Sequence, residues 1–166
     1  MSEKTSAIRI PPKGTKGTTM PGGKLLARLG KPFMDGQVKK YRNATSPEQA
    51  KFMGFPILLL TTVGAKTGKE HTHILGGFPD GKDAWLVIAS KGGAATHPAW
   101  FINLAKNPHQ VSIHVGNRQL KVNVESLQGD EREKAYDRVV AVAKNYSGYR
   151  TKTDREIPVL RLTAAE

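Results

Sequence analysis

Short apolar segments separated by turn residues make up most of the chain beyond residue 50. The dense apolar run at 55–63 has the length and the flanks of a buried strand. Further strands are predicted at 70–78, 84–89, 111–115, 118–126 and 157–162. Because tight turns join most successive strands, we predict a mainly antiparallel sheet. About six such strands can roll into a small barrel with helices over its open edges, a mainly β fold of the α+β class.

Three segments have the periodicity of a helix. The first lies within 24–50 and is amphipathic and basic, and Gly30 and Pro32 are expected to kink or split it. The second is a short helix after Thr96, which is a candidate cap. The third begins near Asp130. These helices are therefore predicted to lie before, inside and after the series of strands.

The pattern also indicates how the chain is organised. Residues 1–23 are rich in Pro, Gly, Thr and Lys and lack an apolar period, so we predict a flexible basic tail. The amphipathic segment 24–50 follows, and 51–166 is predicted to form one barrel domain. A polar loop is expected over 145–155, after the third helix.

Charge is the strongest signal in the composition. The chain has 26 lysines and arginines against 14 aspartates and glutamates, a formal net charge of +12. This balance favours an anionic partner, namely nucleic acid, an acidic membrane or a phosphorylated small molecule, although a basic surface alone would also produce it. The barrel segment lacks a basic strand face interleaved with aromatic residues, so we do not expect nucleic acid.

Several classes of protein are excluded. The chain contains no cysteine, which rules out disulfides and thiolate chemistry. No apolar run reaches the roughly 18 residues of a membrane-spanning helix, and the first residues lack the layout of a signal peptide. We therefore expect a cytoplasmic protein. The basic helix within 24–50 could add peripheral contact with an anionic membrane, or could pack on the domain instead.

The first candidate site is the loop from Thr62 to Lys69, which joins two predicted strands. It contains two glycines, two lysines and a hydroxyl. Glycine lets backbone N–H groups approach an anion closely, and lysine supplies positive charge. The loop does not have the spacing of a Walker A motif, because Ala65 separates Gly64 from Lys66. Either a phosphate site or an ordinary polar hairpin tip would have this composition.

The second candidate is the connection 89–93 and the short helix that follows it. Ser90 offers a hydroxyl and Lys91 a charge, and the paired glycines permit close approach to a planar or phosphorylated ligand. Trp100 and Asn103 are three residues apart, so they share a helix face that suits the edge of a heteroaromatic ring. Loop geometry would explain the glycines of 89–93 equally well. For Trp100 and Asn103 considered alone, core packing and a cap or surface role are favoured.

Histidines and tyrosines are the remaining candidates. His71 and His73 alternate on a strand and point to one face. No third ligand follows at a convincing spacing, so a structural or surface role is favoured over a metal site. Tyr146 and Tyr149 are three apart in the predicted polar loop, where they could cover an apolar substrate and donate a hydrogen bond, or anchor the loop.

Taken together, four segments resemble the deazaflavin-dependent nitroreductase family of mycobacteria and related actinobacteria. They are 59–68, 89–94, 98–104 and 153–159, and the pair Ser-Lys-Gly-Gly and Pro-x-Trp-x-x-Asn-Leu is fairly specific. The resemblance extends from about residue 56 to residue 162. It implies a split β-barrel of the FMN-binding type and the deazaflavin coenzyme F420. The phosphate and oligoglutamate tail of that cofactor agree with the positive charge.

The resemblance also implies roles for particular residues. It implies a phosphate-binding loop at Lys66, Thr67 and Gly68, with Lys69 and His71 beside it. Contacts with the deazaflavin are implied for Ala89, Ser90, Lys91, Gly92, Trp100 and Asn103. Catalytic roles are implied for Ser90, Tyr146 and Tyr149. The implied reaction is hydride transfer from the reduced cofactor to an electron-poor acceptor such as a quinone, an enone or a nitroaromatic compound.

The sequence departs from the family pattern at four positions. Ala65 and His71 stand where many members have arginine, which would weaken phosphate binding unless Lys69 compensates. Gly76 and Ala143 stand where some members have tyrosine, so a more open pocket is expected. An FMN-dependent reductase or oxidase on a similar barrel remains an alternative, as does a non-catalytic module that binds nucleic acid or a membrane surface.

Overall fold

The computed structural model describes residues 8–19, 23–44, 49, 51–52 and 54–165. Its helices are α1 Gly23–Arg42, α2 Ala99–Lys106, α3 Gly129–Val142 and α4 Tyr149–Lys152. Its strands are β1 Lys51–Phe52, β2 Phe55–Val63, β3 Glu70–Gly76, β4 Phe78–Pro79, β5 Ala84–Ile88, β6 Ser112–Val115, β7 Arg118–Ser126 and β8 Val159–Ala164. Two short 3-10 turns, Lys91–Gly93 and Lys144–Gly148, complete the set.

The strands form a single rolled sheet. Its order is β1-β2-β6-β7-β8-β5-β4, and β3 pairs with β2. Each described strand pair is antiparallel, which confirms the predicted sheet. Among the described strands β3 has no partner besides β2, so the barrel stays open between β3 and β5. The six predicted strands correspond to β2, β3 and β5–β8, while β1 and β4 are short additions.

Strand β5 is buried on both faces and separates two apolar clusters. Trp85 and Val87 face a cluster inside the barrel that also contains residues of α2, whereas Leu86 and Ile88 face a cluster with α3. Alternate residues of a strand point to opposite faces, so a strand buried on both faces has a continuous apolar sequence. Burying one such side chain contributes about 1.5–3 kcal/mol. Packing on both sides thus fixes the position from which the chain enters α2.

The prediction of a flexible tail is wrong for the part of the tail that the structure describes. Residues 8–19, called here the N-terminal strap, lie against the barrel. Ile8 is buried in the interior cluster. The Gly14 N–H donates to the Ala95 carbonyl at 2.8 Å and the Thr18 N–H to the Gly93 carbonyl at 3.0 Å. Backbone hydrogen bonds of this kind need no apolar period, which is why the pattern did not reveal them. The remaining tail residues lie outside the described ranges.

Some helix boundaries also differ from expectation. The α1 helix is one element from Gly23 to Arg42 with Pro32 inside it, and is not split. Thr96 does not cap α2, whose N-cap position is Pro98. The predicted polar loop over 145–155 instead contains most of the second 3-10 turn and all of α4. Within the described ranges, no helix is both long enough and apolar enough to cross a membrane.

Candidate functional site

A groove follows the opening of the barrel, between β3 and the segment that leads from β5 into α2. It consists of three adjoining cavities. The loop cavity, about 310 Å³, lies at the turn between β2 and β3. The central cavity is about 450 Å³ and the outer cavity, beside α1, about 690 Å³. Ala99 lines the first two cavities, and Gly76 and Tyr146 line the last two, so the three are neighbours and are together called the groove here.

The Lys66 loop, residues 64–69, forms one end of the groove. Its shape comes first from its own backbone. The Gly64 N–H donates to the Lys69 carbonyl at 2.7 Å, and the Gly68 N–H donates to the Gly64 carbonyl at 2.9 Å. Gly68 has a φ of +70°, a conformation that favours glycine. The turn therefore depends on Gly68 for its backbone conformation, and on Gly64 for space, because a Cβ at position 64 would lie 2.6 Å from Thr67 Oγ1.

Two amide side chains, one on helix α2 and one directly after it, brace this loop and the strand end before it. Asn103 Oδ1 accepts a hydrogen bond from the Ala65 N–H at 3.0 Å. Asn107 Nδ2 donates to the Val63 carbonyl at 3.2 Å. Asn103 also lines the loop cavity, together with Lys66, Thr67 and His71. Asn103 thus positions the loop, a role that sequence reasoning did not assign to it.

The Lys91 loop, residues 90–93, borders the central cavity and has an unusual backbone. Lys91, Gly92 and Gly93 have φ angles of +44°, +61° and +84°. The left-handed region is costly for a residue with a side chain, so Lys91 is held there by its surroundings. The loop is closed by a hydrogen bond from the Gly93 N–H to the Ser90 carbonyl at 2.8 Å. This conformation turns Ser90, Lys91 and Gly92 toward the central cavity.

Arg155 holds the Lys91 loop from behind. Its guanidinium donates from Nε to the Ala94 carbonyl at 2.7 Å and from Nη2 to the carbonyls of Ser90 at 2.8 Å and Ala89 at 3.1 Å. Arg155 is only 6% exposed, and burial lowers its pKa. Among the described residues it makes no ion pair, so its charge is stabilised by the dipoles of these carbonyls. Sequence reasoning gave Arg155 no role, although it lies in a segment that carried the resemblance.

His97 connects Arg155 to the N-terminal strap. Its Nε2 lies 2.6 Å from the Pro11 carbonyl oxygen, and its Nδ1 lies 3.3 Å from Arg155 Nη1. A carbonyl can only accept, so the proton is on Nε2 and Nδ1 accepts from the guanidinium. Burial lowers the pKa of His97, although the bond to Pro11 opposes this. A neutral imidazole is the form that can make both bonds.

The strap also bonds directly to the Lys91 loop and to the turn beside it. The Thr18 hydroxyl donates to the Gly92 carbonyl at 2.9 Å. The Asp154 carboxylate accepts bonds from the backbone N–H groups of Thr15 at 2.8 Å and Lys16 at 3.1 Å, and also from the Thr15 hydroxyl. These bonds lower the pKa of Asp154 to about 2. The Asp154 carboxylate therefore stays negatively charged at neutral and mildly acidic pH.

Not every predicted contact residue lines the groove. Ala89 is fully buried, its N–H donates to the Pro158 carbonyl at 3.0 Å and its carbonyl is bound by Arg155. It supports the loop, and its prediction as a direct contact is corrected. Gly68 and Lys69 are exposed in the turn but are not among the residues that line the loop cavity. Trp100 is buried and still forms part of the central wall.

Tyr146 lies where the central and outer cavities meet. Its ring packs edge-on against Phe78 at 5.6 Å and Tyr149 at 5.2 Å between centroids. The Tyr136 hydroxyl donates to the Tyr146 carbonyl at 2.7 Å. Burial raises the pKa of Tyr146 to about 12. Its phenol is therefore a protonated donor at neutral pH, and its hydroxyl makes no hydrogen bond within the described part of the chain.

Tyr146 also explains the glycine at position 76. A Cβ atom added to Gly76 would lie 2.6 Å from the Tyr146 hydroxyl oxygen. A larger residue at 76 and this position of Tyr146 therefore exclude each other. The more open pocket expected from Gly76 is corrected in this respect, because the Tyr146 phenol occupies the space above it.

Comparison with known proteins identifies the family to which the chain belongs. The sequence model of the F420H(2)-dependent quinone reductase family matches residues 34–164. The chain belongs to this family. The resemblance to F420-dependent reductases is thereby confirmed, and the family is named for quinones where the resemblance suggested nitroreductases. The F420H(2)-dependent quinone reductase Rv1261c of Mycobacterium tuberculosis is 40% identical over 113 residues, which cover 65% of this chain and 73% of that protein.

Solved structures of similar proteins support the fold. One, described as an F420-H2 dependent reductase (FDR-A), is 39% identical with a TM-score of 0.59, over 64% of this chain and 93% of its own. Another, described as a domain-swapped dimer, is 32% identical with a TM-score of 0.61, over 80% of this chain and 98% of its own. The predicted split barrel with flanking helices is confirmed.

Proposed function

We propose that the protein binds coenzyme F420 in the groove and transfers a hydride from its reduced form to a quinone. The observation that carries this proposal is the convergence of two loops and one helix face. Lys66 and Asn103 line the loop cavity, Lys91 and Trp100 line the central cavity, and the two cavities meet at Ala99. Family membership and the basic composition support the same cofactor.

The groove fits this cofactor in size. The side chains along the groove also follow the same order as the phosphate and ring parts of the cofactor. Each cavity lies within or near the range of about 300–1,000 Å³ that is usual for ligand sites. Lys66 and Thr67 would hold the phosphate end by charge and hydrogen bonds. Ser90, Lys91 and Gly92 would hold the ring against Trp100. The glycine at 92 leaves the backbone open to close approach by a flat ligand.

The outer cavity is suited to a flat, largely apolar acceptor. Phe55, Ile57, Leu75 and Tyr149 are among the residues that line it. A quinone could pack its ring there and direct its oxygen toward Tyr146. Enones and nitroaromatic compounds are also electron-poor, and they are the alternative acceptors within this proposal.

The side chains would act mainly by orientation and electrostatics. When bound, the reduced deazaflavin supplies the hydride. Tyr146 holds its proton at neutral pH and can donate a hydrogen bond to the acceptor oxygen as negative charge develops there. Ser90 offers a second hydroxyl at the central cavity. Tyr149 would cover the acceptor. The Tyr149 hydroxyl oxygen accepts a hydrogen bond from Asn145 Nδ2 at 3.0 Å.

A turnover assay tests the proposed function. Reduced F420 is mixed with the protein and a panel of quinones, enones and nitroaromatic compounds, and oxidation of the cofactor is followed by absorbance. We expect turnover with quinones at a rate above that of any other class. NADPH and reduced FMN serve as alternative donors. Failure of reduced F420 to react with every acceptor, or faster reaction with reduced FMN, would contradict the proposal.

Replacing Tyr146 with phenylalanine tests its role. Removal of one donor aimed at a developing oxyanion is expected to slow acceptor reduction by about 10- to 100-fold, near the lower end of such effects. The dissociation constant for F420 should stay within about twofold, because the hydroxyl is not needed to bind the phosphate end. Tyr149→Phe is the matched control and should slow turnover less, because Tyr149 lines only the outer cavity of the groove. Equal turnover by Y146F and the unmodified protein would remove Tyr146 from the reaction.

A further inference from the structure

His73 occupies a position in the groove that its sequence context did not suggest. In the register of β2 with β3, His73 pairs with Leu60 and His71 pairs with Thr62. Directly paired residues of antiparallel strands point to the same face. Leu60 and Thr62 are completely buried on the inner side of the sheet, so both histidines point inward. His71 reaches the loop cavity and His73 the central cavity, beside Ser90, Lys91 and Trp100.

The two ring nitrogens of His73 are in different environments. Nδ1 is buried and has no hydrogen-bond partner. Nε2 likewise bonds to no described residue, but it is not buried in this way. An unpaired buried N–H is costly and rare, and an unused acceptor is tolerated more often. The proton is therefore expected on Nε2, with the lone pair on Nδ1.

The charge state of His73 agrees with this arrangement. Burial lowers the pKa of His73, and the neighbouring His71 lowers it further. A neutral imidazole carries one N–H, and that N–H is on the nitrogen that is not buried. The side chain is thus an uncharged donor, complementary to the charged donor Lys91 in the same cavity.

We propose that His73 is a further binding residue of the groove, and that its Nε2–H donates a hydrogen bond to a carbonyl oxygen of the cofactor's fused ring. This inference rests on the proposed function. The ring would lie between Trp100 and the inner face of β3, with the histidine at its polar edge. His73 would fix the orientation of the ring, while Lys66 at the other end of the cofactor would fix the phosphate.

Two variants at position 73 test the bond by equilibrium titration of the protein with oxidised F420, followed by fluorescence. His73→Leu removes the donor and should weaken binding by about tenfold, the loss of one neutral hydrogen bond in a partly buried site. His73→Gln keeps an N–H donor and should remain within about threefold of the unmodified protein. Unchanged affinity in H73L, or equal losses in both variants, would overturn the inference.

A second measurement needs no variant and is independent of turnover. In protein labelled with ¹⁵N at histidine, NMR identifies which ring nitrogen of each histidine carries the proton. We expect His73 to be protonated on Nε2, and its Nε2 resonance to shift when F420 is added. His114, which lies outside the three cavities, is the internal control and should not shift.

The outcomes separate this inference from the proposed function. A proton on Nδ1, or an Nε2 resonance that F420 leaves unchanged while the cofactor binds, refutes the role of His73 and leaves the reductase intact. Absence of any F420 binding by the unmodified protein refutes both.

Discussion

The Lys66 loop and the Lys91 loop present similar residues to the same groove but are supported in different ways. The Lys66 loop is an exposed turn, shaped by its own backbone and braced by Asn103. The Lys91 loop is bound by the buried guanidinium of Arg155 and by the N-terminal strap through Thr18. Loops of similar composition therefore differ in how rigidly they are held.

This difference suits the parts of the ligand that each loop would hold. A phosphate is bound mainly by charge, and an exposed turn with an exposed lysine can supply that charge. A ring that must pass a hydride needs a fixed orientation, because small displacements reduce the rate strongly. The bracing of the Lys91 loop also explains how Lys91 keeps its positive φ, since such strain persists only where the surroundings enforce it.

The largest effect is expected from removing the brace of the Lys91 loop. Arg155→Met removes the donor of the Ala89 and Ala94 carbonyls and one of the two donors of the Ser90 carbonyl, and we expect the free energy of unfolding to fall by about 3 kcal/mol. Binding of F420 should weaken by more than about tenfold because the loop loses its shape. Urea denaturation and fluorescence titration measure the two quantities.

Substitution of another arginine, Arg161, serves as the control for this prediction. Arg161 is paired with Asp80, Glu125 and Glu131 and lines none of the three cavities. Arg161→Met should lower stability but leave the affinity for F420 unchanged. If R155M retained both the stability and the affinity of the unmodified protein, the Lys91 loop would not depend on its brace.

At the other loop, charge is expected to matter more than structure. Lys66→Ala should weaken F420 binding by about tenfold through loss of one charged contact. The free energy of unfolding should change by less than about 0.5 kcal/mol, because Lys66 is exposed. The loss should shrink at high salt. Lys121→Ala, at an exposed position on β7, is the control, and equal affinities for K66A and K121A would exclude Lys66 from the site.

Removing the brace of the Lys66 loop should have a smaller effect than removing Arg155. Asn103→Ala takes away the acceptor of the Ala65 N–H, and because this loop is exposed, water can replace it. We expect a loss of about 1 kcal/mol in stability and faster amide hydrogen exchange over 64–68. Asn123→Ala, on the exposed side of β7, should change neither. Unchanged exchange in N103A would show that the turn is held by its own backbone alone.

The smallest effect is expected in the strap. Thr18→Val removes one exposed hydrogen bond to the Gly92 carbonyl, so stability should fall by less than about 1 kcal/mol. Amide exchange over 91–95 should nevertheless become faster, because the strap would hold the loop less firmly. Thr19→Val alters the neighbouring residue, whose side chain makes no described hydrogen bond, and should leave exchange unchanged. The same exchange rates in both variants would mean that the strap does not stiffen the Lys91 loop.

Much of the candidate site could be predicted from the sequence because its signals are local. Ser90, Lys91 and Gly92 follow an apolar strand directly, and glycine and lysine at such a connection point to an anionic or planar ligand. Trp100 and Asn103 share a helix face by spacing alone. What was missed has no local signal. Arg155 follows an ordinary polar segment, and His73 differs from a surface histidine only by the face of β3 that is buried.

The sequence by itself determined the strands, the turns and the positive charge, because periodicity, glycine conformation and net charge depend on residues close together in the chain or on their sum. Only the tertiary structure decided how each loop is braced and which cavity of the groove each histidine of β3 lines. The strap is joined to the turn beside the Lys91 loop by contacts such as that of Thr15 with Asp154, which are 139 positions apart. Hydrogen bonds at such separations depend on how the whole barrel closes, and no local pattern encodes them.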